Sequence, residues 1–182
     1  MDLDQALKGR RSIRSYLDKS VSEELIRLII EAATFAPSAK NAQQWRFTVL
    51  TGNAKKELTD LFRRELELVC ERIGRENMGS SFSSCSIMEE APVVIMVWNA
   101  GEMGWETEIH SVAAAIQNML LKAYDLGLGT LWIGDIFYAL KALKQHFDKP
   151  WKLTAAVAVG WPARIPEPRP RKSVDKVTEF LS

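Results

Sequence analysis

The sequence has few of the side chains that perform chemistry on their own. It contains two cysteines, Cys70 and Cys85, and two histidines, His110 and His146. The cysteines lie too far apart for a CxxC pair or a zinc site, and two imidazoles nearly exclude a multi-histidine metal centre. We expect both cysteines to stay reduced, as they do in the cytosol. No metal site is predicted.

Short catalytic motifs are also missing. The sequence has no G-x-S-x-G elbow, no P-loop and no HExxH helix. Its acidic residues are scattered over predicted helix surfaces, where carboxylates are solvated by default. We therefore predict no catalytic side chain, and if the protein is an enzyme, a bound cofactor carries the difficult step.

Neither an excess of one charge nor a long apolar run is present. The 24 basic and 23 acidic residues give a formal net charge of +1. Such a balance does not indicate nucleic acid or an acidic membrane surface as a partner. No stretch reaches the roughly 18 uninterrupted apolar residues of a membrane-spanning helix, and the N-terminus lacks an apolar signal segment. We expect a cytoplasmic protein with no nucleic-acid and no membrane partner.

What the sequence does have is enough apolar material for a core. Hydrophobic residues make up 47% of its 182 residues, and neither an internal repeat nor a linker divides it. We predict one domain spanning residues 1–182. Helical and strand patterns are mixed along the chain, which is typical of an α+β or α/β sheet flanked by helices.

Apolar spacing predicts the main elements. Helices are expected near residues 3–9, 25–33, 58–74, 106–126 and 137–147, and strands over 45–50, 91–98, 129–133 and 153–161. Ser20 and Glu23 could form a capping box for the second helix. The serine-rich stretch 75–86 has no period and predicts a mobile surface segment. Beyond Trp161, four prolines predict an extended arm, and Ser173 could cap a last short helix that holds Val177 and Phe180.

Arginines cluster near both ends of the chain. If "RRSIRSY" is extended, Arg10, Ser12 and Arg14 share one face, while Arg11 and Ile13 share the other. Two guanidinium groups that flank a hydroxyl suit a phosphate, but a solvated charge run beside a helix end has the same pattern.

The C-terminal arm repeats this spacing with Arg169 and Arg171. Both could close on the same anion, or they could belong to a frayed basic tail. The stretch "GLGTLWIG", residues 127–134, fails the GxGxxG pattern and follows a predicted helix. Its glycines could let main-chain amides approach a planar ligand, or they could be a helix stop before an ordinary strand.

Small and amide-bearing residues fill "APSAKNAQQWRF", residues 36–47, between a helix and a strand. Together with "RRSIRSY", "GLGTLWIG" and "VGWPAR" followed by "RPRKSVDKV", this stretch resembles the FMN-dependent nitroreductase family. All of these motifs occur in the family's order over nearly the whole chain.

The resemblance implies a nitroreductase-like α+β fold with a central mixed β-sheet flanked by helices. It also implies an intertwined homodimer with the flavins at the interface. FMN is the implied cofactor, and NAD(P)H is the implied electron donor. Arg10, Arg11, Ser12, Arg14, Arg169 and Arg171 would be cofactor-binding residues of one chain. Among them, Arg10, Ser12, Arg169 and Arg171 would hold the phosphate and ribityl chain, with Arg14 near the pyrimidine edge.

The same resemblance places main chain at Ile133 and Gly134 against the flavin ring. Pro37, Ser38, Ala39 and Asn41 would reach the flavin held mainly by the partner. Gln44 stands where the family usually has proline, which we expect to loosen the entry of the strand.

The implied function is ping-pong reduction of a small-molecule acceptor, such as a nitroaromatic or a quinone, at the expense of NAD(P)H. Two alternatives remain. One is a non-catalytic flavin-binding dimer, and the other is a flavin enzyme of different chemistry, such as dehalogenation or flavin cleavage.

Overall fold

A computed structural model describes residues 2–181. Within this range the chain forms six α-helices and four β-strands. The helices are α1 (Leu3–Gly9), α2 (Glu23–Thr34), α3 (Gly52–Ile73), α4 (Ser81–Glu90), α5 (Glu106–Asp125) and α6 (Leu140–His146). The strands are β1 (Trp45–Leu50), β2 (Val93–Asn99), β3 (Gly129–Ile133) and β4 (Lys152–Gly160). These bounds confirm most of the predicted elements.

The four strands form one sheet in the order β1-β2-β4-β3. All three pairings between them are antiparallel, so the expected mixed sheet is wrong for these strands. Among the described residues, the parallel pairing is an isolated bridge between Ser12 and Thr130. The mixed sheet was implied by the family resemblance. The residues themselves gave no strand directions, since a continuous apolar run shows burial on both faces without showing direction.

Helices cover both faces of the sheet. Alternate side chains of β2 point to opposite sides, and all seven of its residues are buried. Met96 and Trp98 pack on the side of α3, α4 and α6, whereas Ile95 and Val97 pack on the side of α2 and α5. The fold is therefore α+β, with an antiparallel sheet between two helical layers.

The start of α2 differs from the predicted capping box. Ser22 occupies the N-cap, and its Oγ accepts a hydrogen bond from the backbone N–H of Leu25 over 3.4 Å. Glu23 pairs with Arg27 instead. The box based on Ser20 is wrong because the helix begins at Glu23, which leaves Ser22 to satisfy the first free amides.

The predicted mobile segment 75–86 is packed. Its residues form a 3-10 turn, Arg75–Asn77, and most of α4. Met78, Cys85 and Met88 are buried in the core beside α3. Ser81, one of the serines that hid this helix, is itself satisfied, since its Oγ donates to the carbonyl of Met78 over 2.7 Å. A serine interrupts the apolar spacing by which a helix is predicted, yet it can still be buried when its hydroxyl has a local acceptor.

The C-terminal arm begins beside the N-terminal segment. The Ala163 amide donates to the Ser15 carbonyl over 3.0 Å, and the Leu17 amide donates to the Trp161 carbonyl over 2.8 Å. Residues 163–181 are exposed and contain no strand, as predicted. The predicted last helix is reduced to the 3-10 turn Val174–Lys176.

The expected cap of that last helix is also wrong. Ser173 forms no side-chain capping bond, and Val177 and Phe180 are exposed instead of packed on the chain. Across residues 2–181, no helix combines the length and apolar character needed to cross a membrane.

Candidate functional site

The segment that follows α1 is fixed on its inner side. Ile13 is buried, and its amide donates to the carbonyl of Thr130 over 2.9 Å. A Cβ at Gly129 would lie 2.5 Å from Ile13 Cγ1, so the absence of a side chain there lets the segment lie against β3. Buried Tyr16 donates its hydroxyl to the carbonyls of Ile13 and Ala158. The alternate residues are thereby held on the outer side.

Both basic ends of the chain converge there on one cleft. Its volume is about 390 Å³. It is lined by Leu7, Lys8, Arg10, Arg11, Ser12, Arg14, Pro166, Glu167, Pro168, Arg169 and Arg171. The cause is the backbone pairing between residues 15–17 and 161–163, which turns the proline-rich arm back along the N-terminal segment. We refer to this site as the cationic cleft.

The cationic cleft holds positive charge without matching negative charge. The pKa of Arg10 is lowered, most by burial, next by the positive charge of Arg171 and last by that of Arg11. Glu167 is the single acidic residue of the lining, and in the part of the chain that is described no ion pair joins it to an arginine. Like charges held this close repel one another, so an anion in the cleft would relieve their repulsion.

Arg11 differs from the other arginines of the cleft. Its Nη1 donates to the carbonyls of Lys8, Gly9 and Arg10 at 2.6, 3.1 and 3.0 Å. These are carbonyls at the C-terminal end of α1, where a cation is favoured by the helix dipole. Arg11 therefore caps α1 as well as lining the cleft.

The corner formed by residues 37–41 lies outside the cationic cleft of its own chain. The Ala39 amide donates to Ser111 Oγ on α5, and the Asn41 amide donates to the Ser38 carbonyl. Lys40 and Asn41 have φ of 55° and 53°, a left-handed conformation that is costly for residues other than glycine. Asn41 is exposed, and its side-chain amide has no hydrogen-bond partner within residues 2–181. Pro37 belongs to the same corner.

Ile133 and Gly134 also lie outside the lining of the cleft. Ile133 ends β3 and is buried, whereas Gly134 is exposed. A Cβ at Gly134 would meet no atom within 4 Å, so the side of the residue where a side chain would stand is open, while its carbonyl accepts from the Phe137 amide over 3.1 Å. Asp135 follows, and its Oδ2 accepts hydrogen bonds from Ser80 and Ser84. Main chain at Gly134 is therefore accessible to a ligand.

A buried polar cluster joins the start of α5 to the end of β2 and to Gln44, which follows the corner, and reasoning from the sequence missed it. Glu108 lies in the first turn of α5, and its carboxylate accepts from Asn99 Nδ2 over 3.2 Å and from the Met103 amide over 3.0 Å. Gln44 Nε2 donates to the backbone carbonyl of Glu108 over 3.0 Å. A signal was available in the sequence: Asn99 ends a buried strand, and Glu108 shares the face of Val112 on α5.

Gln44 also corrects an expectation. Instead of loosening the entry of β1, it is buried, and its carbonyl accepts a hydrogen bond from the Ala100 amide over 2.8 Å. Its Oε1 is the buried side-chain polar atom without a partner among the described residues. The strand entry is therefore fixed by hydrogen bonds of Gln44 and is not loosened.

The donor set of the cleft suits a phosphate monoester. Guanidinium groups match phosphate oxygens in pairs, and a hydroxyl such as that of Ser12 adds a neutral donor. The chain also resembles known proteins over most of its length: the model of the Nitroreductase family matches residues 7–161. This chain belongs to the nitroreductase family. The prediction of the family is confirmed.

Individual relatives agree with this membership. A candidate NADH dehydrogenase/NAD(P)H nitroreductase of Methanothermobacter thermautotrophicus is 30% identical over 185 residues, which cover 97% of this chain and 86% of the relative. A 5,6-dimethylbenzimidazole synthase of Rhodospirillum rubrum is 26% identical, with 91% and 85% covered.

Solved nitroreductase structures share the fold. A candidate nitroreductase of Desulfovibrio desulfuricans, solved in complex with FMN, superposes with a TM-score of 0.81 at 30% identity. The alignment covers 100% of this chain and 98% of that one. The FMN- and NADPH-dependent nitroreductase NfnB of Sphigopyxis sp. strain HMH reaches 0.85 at 19% identity, with 100% of both chains covered, and supports the fold alone.

Proposed function

We propose that this nitroreductase-family protein is an FMN-dependent oxidoreductase that uses NAD(P)H to reduce electron-poor acceptors such as nitroaromatics and quinones. The observation that carries the proposal is the convergence of Arg10, Arg14, Arg169 and Arg171 with Ser12 on one cleft. Relatives named as NAD(P)H nitroreductases and an FMN-bound structural neighbour support it.

The cationic cleft suits the phosphate of FMN. Arg10, Ser12, Arg169 and Arg171 would hold the phosphate and the ribityl chain, and Arg14 would lie toward the ring. Hydride transfer from NAD(P)H to the acceptor is the chemistry that FMN supplies when it is bound. The positive charge of Arg14 would favour added electrons on a neighbouring ring. No side chain is proposed as a general acid, and solvent supplies the protons.

We also propose a homodimer in which each chain completes the site of the other. Pro37, Ser38, Ala39 and Asn41 would reach the flavin of the partner subunit. Two features support this arrangement: the corner lies outside the cleft of its own chain, and the amide of Asn41 is exposed and unpartnered among the described residues. The cytoplasmic location and the single domain stay predictions.

Spectroscopy and turnover test this function together. Purified protein should take up added FMN and turn yellow. It should then oxidise NADH or NADPH when a nitroaromatic or a quinone is supplied, with parallel double-reciprocal plots typical of ping-pong kinetics. A colourless protein that fails to take up FMN would contradict the proposal. Bound FMN with negligible turnover would favour the non-catalytic dimer instead.

A flavin-cleaving reaction is the second candidate. It is favoured by the similarity to the 5,6-dimethylbenzimidazole synthase, which extends over 91% of this chain. Mass spectrometry of the flavin after turnover separates the two functions. The proposed acceptor reduction leaves FMN intact, whereas flavin cleavage yields fragments in proportion to the NAD(P)H consumed.

A further inference from the structure

Helix α4 is joined at its N-terminal end to the loop that follows β3. Ser84 Oγ donates to Asp135 Oδ2 over 2.7 Å, and Ser80 Oγ donates to the same oxygen over 3.1 Å. Asp135 directly follows Gly134, which is exposed and has open space where a side chain would stand. The conformation of this accessible main chain is therefore tied to α4.

The other end of α4 is joined to the arginine segment. Glu90, the last residue of the helix, accepts two hydrogen bonds at Oε1. The donors are the Tyr16 amide at 2.6 Å and Ser15 Oγ at 3.0 Å. Both residues follow the segment that contains Arg10, Ser12 and Arg14, which line the cationic cleft, and Arg10 and Ser12 are its proposed phosphate ligands. Thus the same helix holds both the ring side and the phosphate side of the proposed flavin site.

Between these two sets of hydrogen bonds, helix α4 is fixed by core packing and by an ion pair. Cys85 and Met88 are fully buried in the core cluster that includes α3. On its outer side, Arg63 Nη2 donates to both carboxylate oxygens of Glu89 over 2.7 Å. Its 10 residues set a length of about 15 Å. A helix packed in this way keeps its two ends at a constant separation.

We propose that Asp135 and Glu90 are positioning residues of the flavin site. Through α4 they fix the spacing between the Gly134 main chain and the arginine segment. Neither carboxylate lines the cationic cleft, so each acts through the segment that it holds. This inference rests on the proposed binding of FMN and adds to it two residues and a helix that the family motifs of the sequence do not include.

Loss of the Glu90 contacts and loss of the Asp135 contacts should have different effects on binding. Comparing FMN with riboflavin separates these effects, because riboflavin lacks the phosphate. Glu90→Ala loosens the arginine segment, in which Arg10 and Ser12 would hold the phosphate and Arg14 would lie toward the ring. It should therefore weaken FMN about tenfold and riboflavin distinctly less. Asp135→Ala releases the ring side, so it should weaken both ligands by a similar factor, about fivefold. Equilibrium titrations of both ligands into the full-length protein measure these constants.

Matched variants keep the test informative. Ser83→Ala is the control, because Ser83 is exposed on the same helix and makes no hydrogen bond within the described chain. Glu90→Gln and Asp135→Asn retain an accepting oxygen and should bind close to wild type. If an alanine variant fails to fold, Ser15→Ala removes the side-chain donor to Glu90 and leaves the Tyr16 amide, and the double variant Ser80→Ala/Ser84→Ala removes both donors to Asp135. Both should shift binding in the same directions, with Ser15→Ala having the smaller effect.

The outcomes separate this inference from the function on which it rests. Loss of the preference for FMN in Glu90→Ala, with equal weakening in Asp135→Ala, supports the inference. Two outcomes would overturn the inference and leave the proposed function standing. In one, the wild type binds FMN and no variant changes the dissociation constants. In the other, Glu90→Ala weakens FMN and riboflavin equally. Absence of saturable FMN binding by the wild type would overturn the proposed function together with it.

Discussion

Arg10 is the residue on which the two basic ends of the chain act together. Burial lowers its pKa first, followed by the charges of Arg171 and Arg11. Since a hydrogen bond to a charged group contributes about 1.5–3 kcal/mol, Arg10→Ala should weaken FMN about 10- to 100-fold. Quenching of FMN fluorescence measures the change. Arg164→Ala is the control, because Arg164 lies on the same arm outside the cleft, and equal losses in both variants would contradict the assignment.

Asn41 combines an exposed amide with a left-handed backbone. Asn41→Ala should weaken the retention of FMN without unfolding the protein, because the amide is lost to the partner's flavin. Alanine also strains the backbone at this φ, whereas glycine does not. If loss of the amide is the cause, Asn41→Gly should lose as much FMN during gel filtration as Asn41→Ala does. Full retention by the glycine variant would assign the effect to strain and not to the amide.

At the scale of elements, α4 is the part of the fold that the sequence concealed. Met88 is fully buried beside α3. Met88→Ala should lower the free energy of unfolding by about 2–5 kcal/mol, as expected for a large-to-small change in a core. Denaturant unfolding gives the value. Leu68→Ala on the exposed side of α3 is the control and should cost much less. Similar small costs for both variants would contradict the packing of α4 against the core.

The same element shows what a sequence can and cannot reveal. Alternate spacing placed Arg10, Ser12 and Arg14 on one face, but a solvated charge run has the same pattern, and only the family resemblance pointed to a cofactor phosphate. Helix α4, which contains Ser84, was not predicted, because the partner that satisfies the hydroxyl of Ser84 is Asp135. Asp135 lies 51 positions from Ser84 in the chain. Hydrogen bonds between distant segments leave no periodic trace, and the cluster around Glu108 escaped prediction for the same reason.

At the scale of the whole molecule, the apolar side chains of the C-terminal arm are exposed to solvent within the described chain. Five of its apolar side chains are exposed by 65–86%: Ile165, Val174, Val177, Phe180 and Leu181. Apolar groups gathered on one exposed segment favour association, because their burial removes apolar surface from water. The proposed homodimer gives them a partner surface. The sheet order and strand directions do not indicate this assembly, since the strands are paired within one chain.

Light scattering after gel filtration tests this assembly. The wild type should elute with twice the 20.5 kDa mass of one chain. Truncation after Lys172 removes four of the five exposed apolar residues and leaves every arginine of the cleft, so it should shift the equilibrium toward the monomer. A chain with Val174, Val177, Phe180 and Leu181 changed to serine should behave like the truncation. A wild-type monomer, or truncation without effect, would contradict the role of the arm.

The central claim is that the two ends of one chain build a phosphate site for FMN. Its most direct test is the titration of FMN into the purified apoprotein, compared with riboflavin. The account predicts saturation at one FMN per chain. Riboflavin should bind much more weakly, because the arginines bind the phosphate that it lacks. Equal affinity for the two ligands, or no saturable binding of FMN, would contradict it.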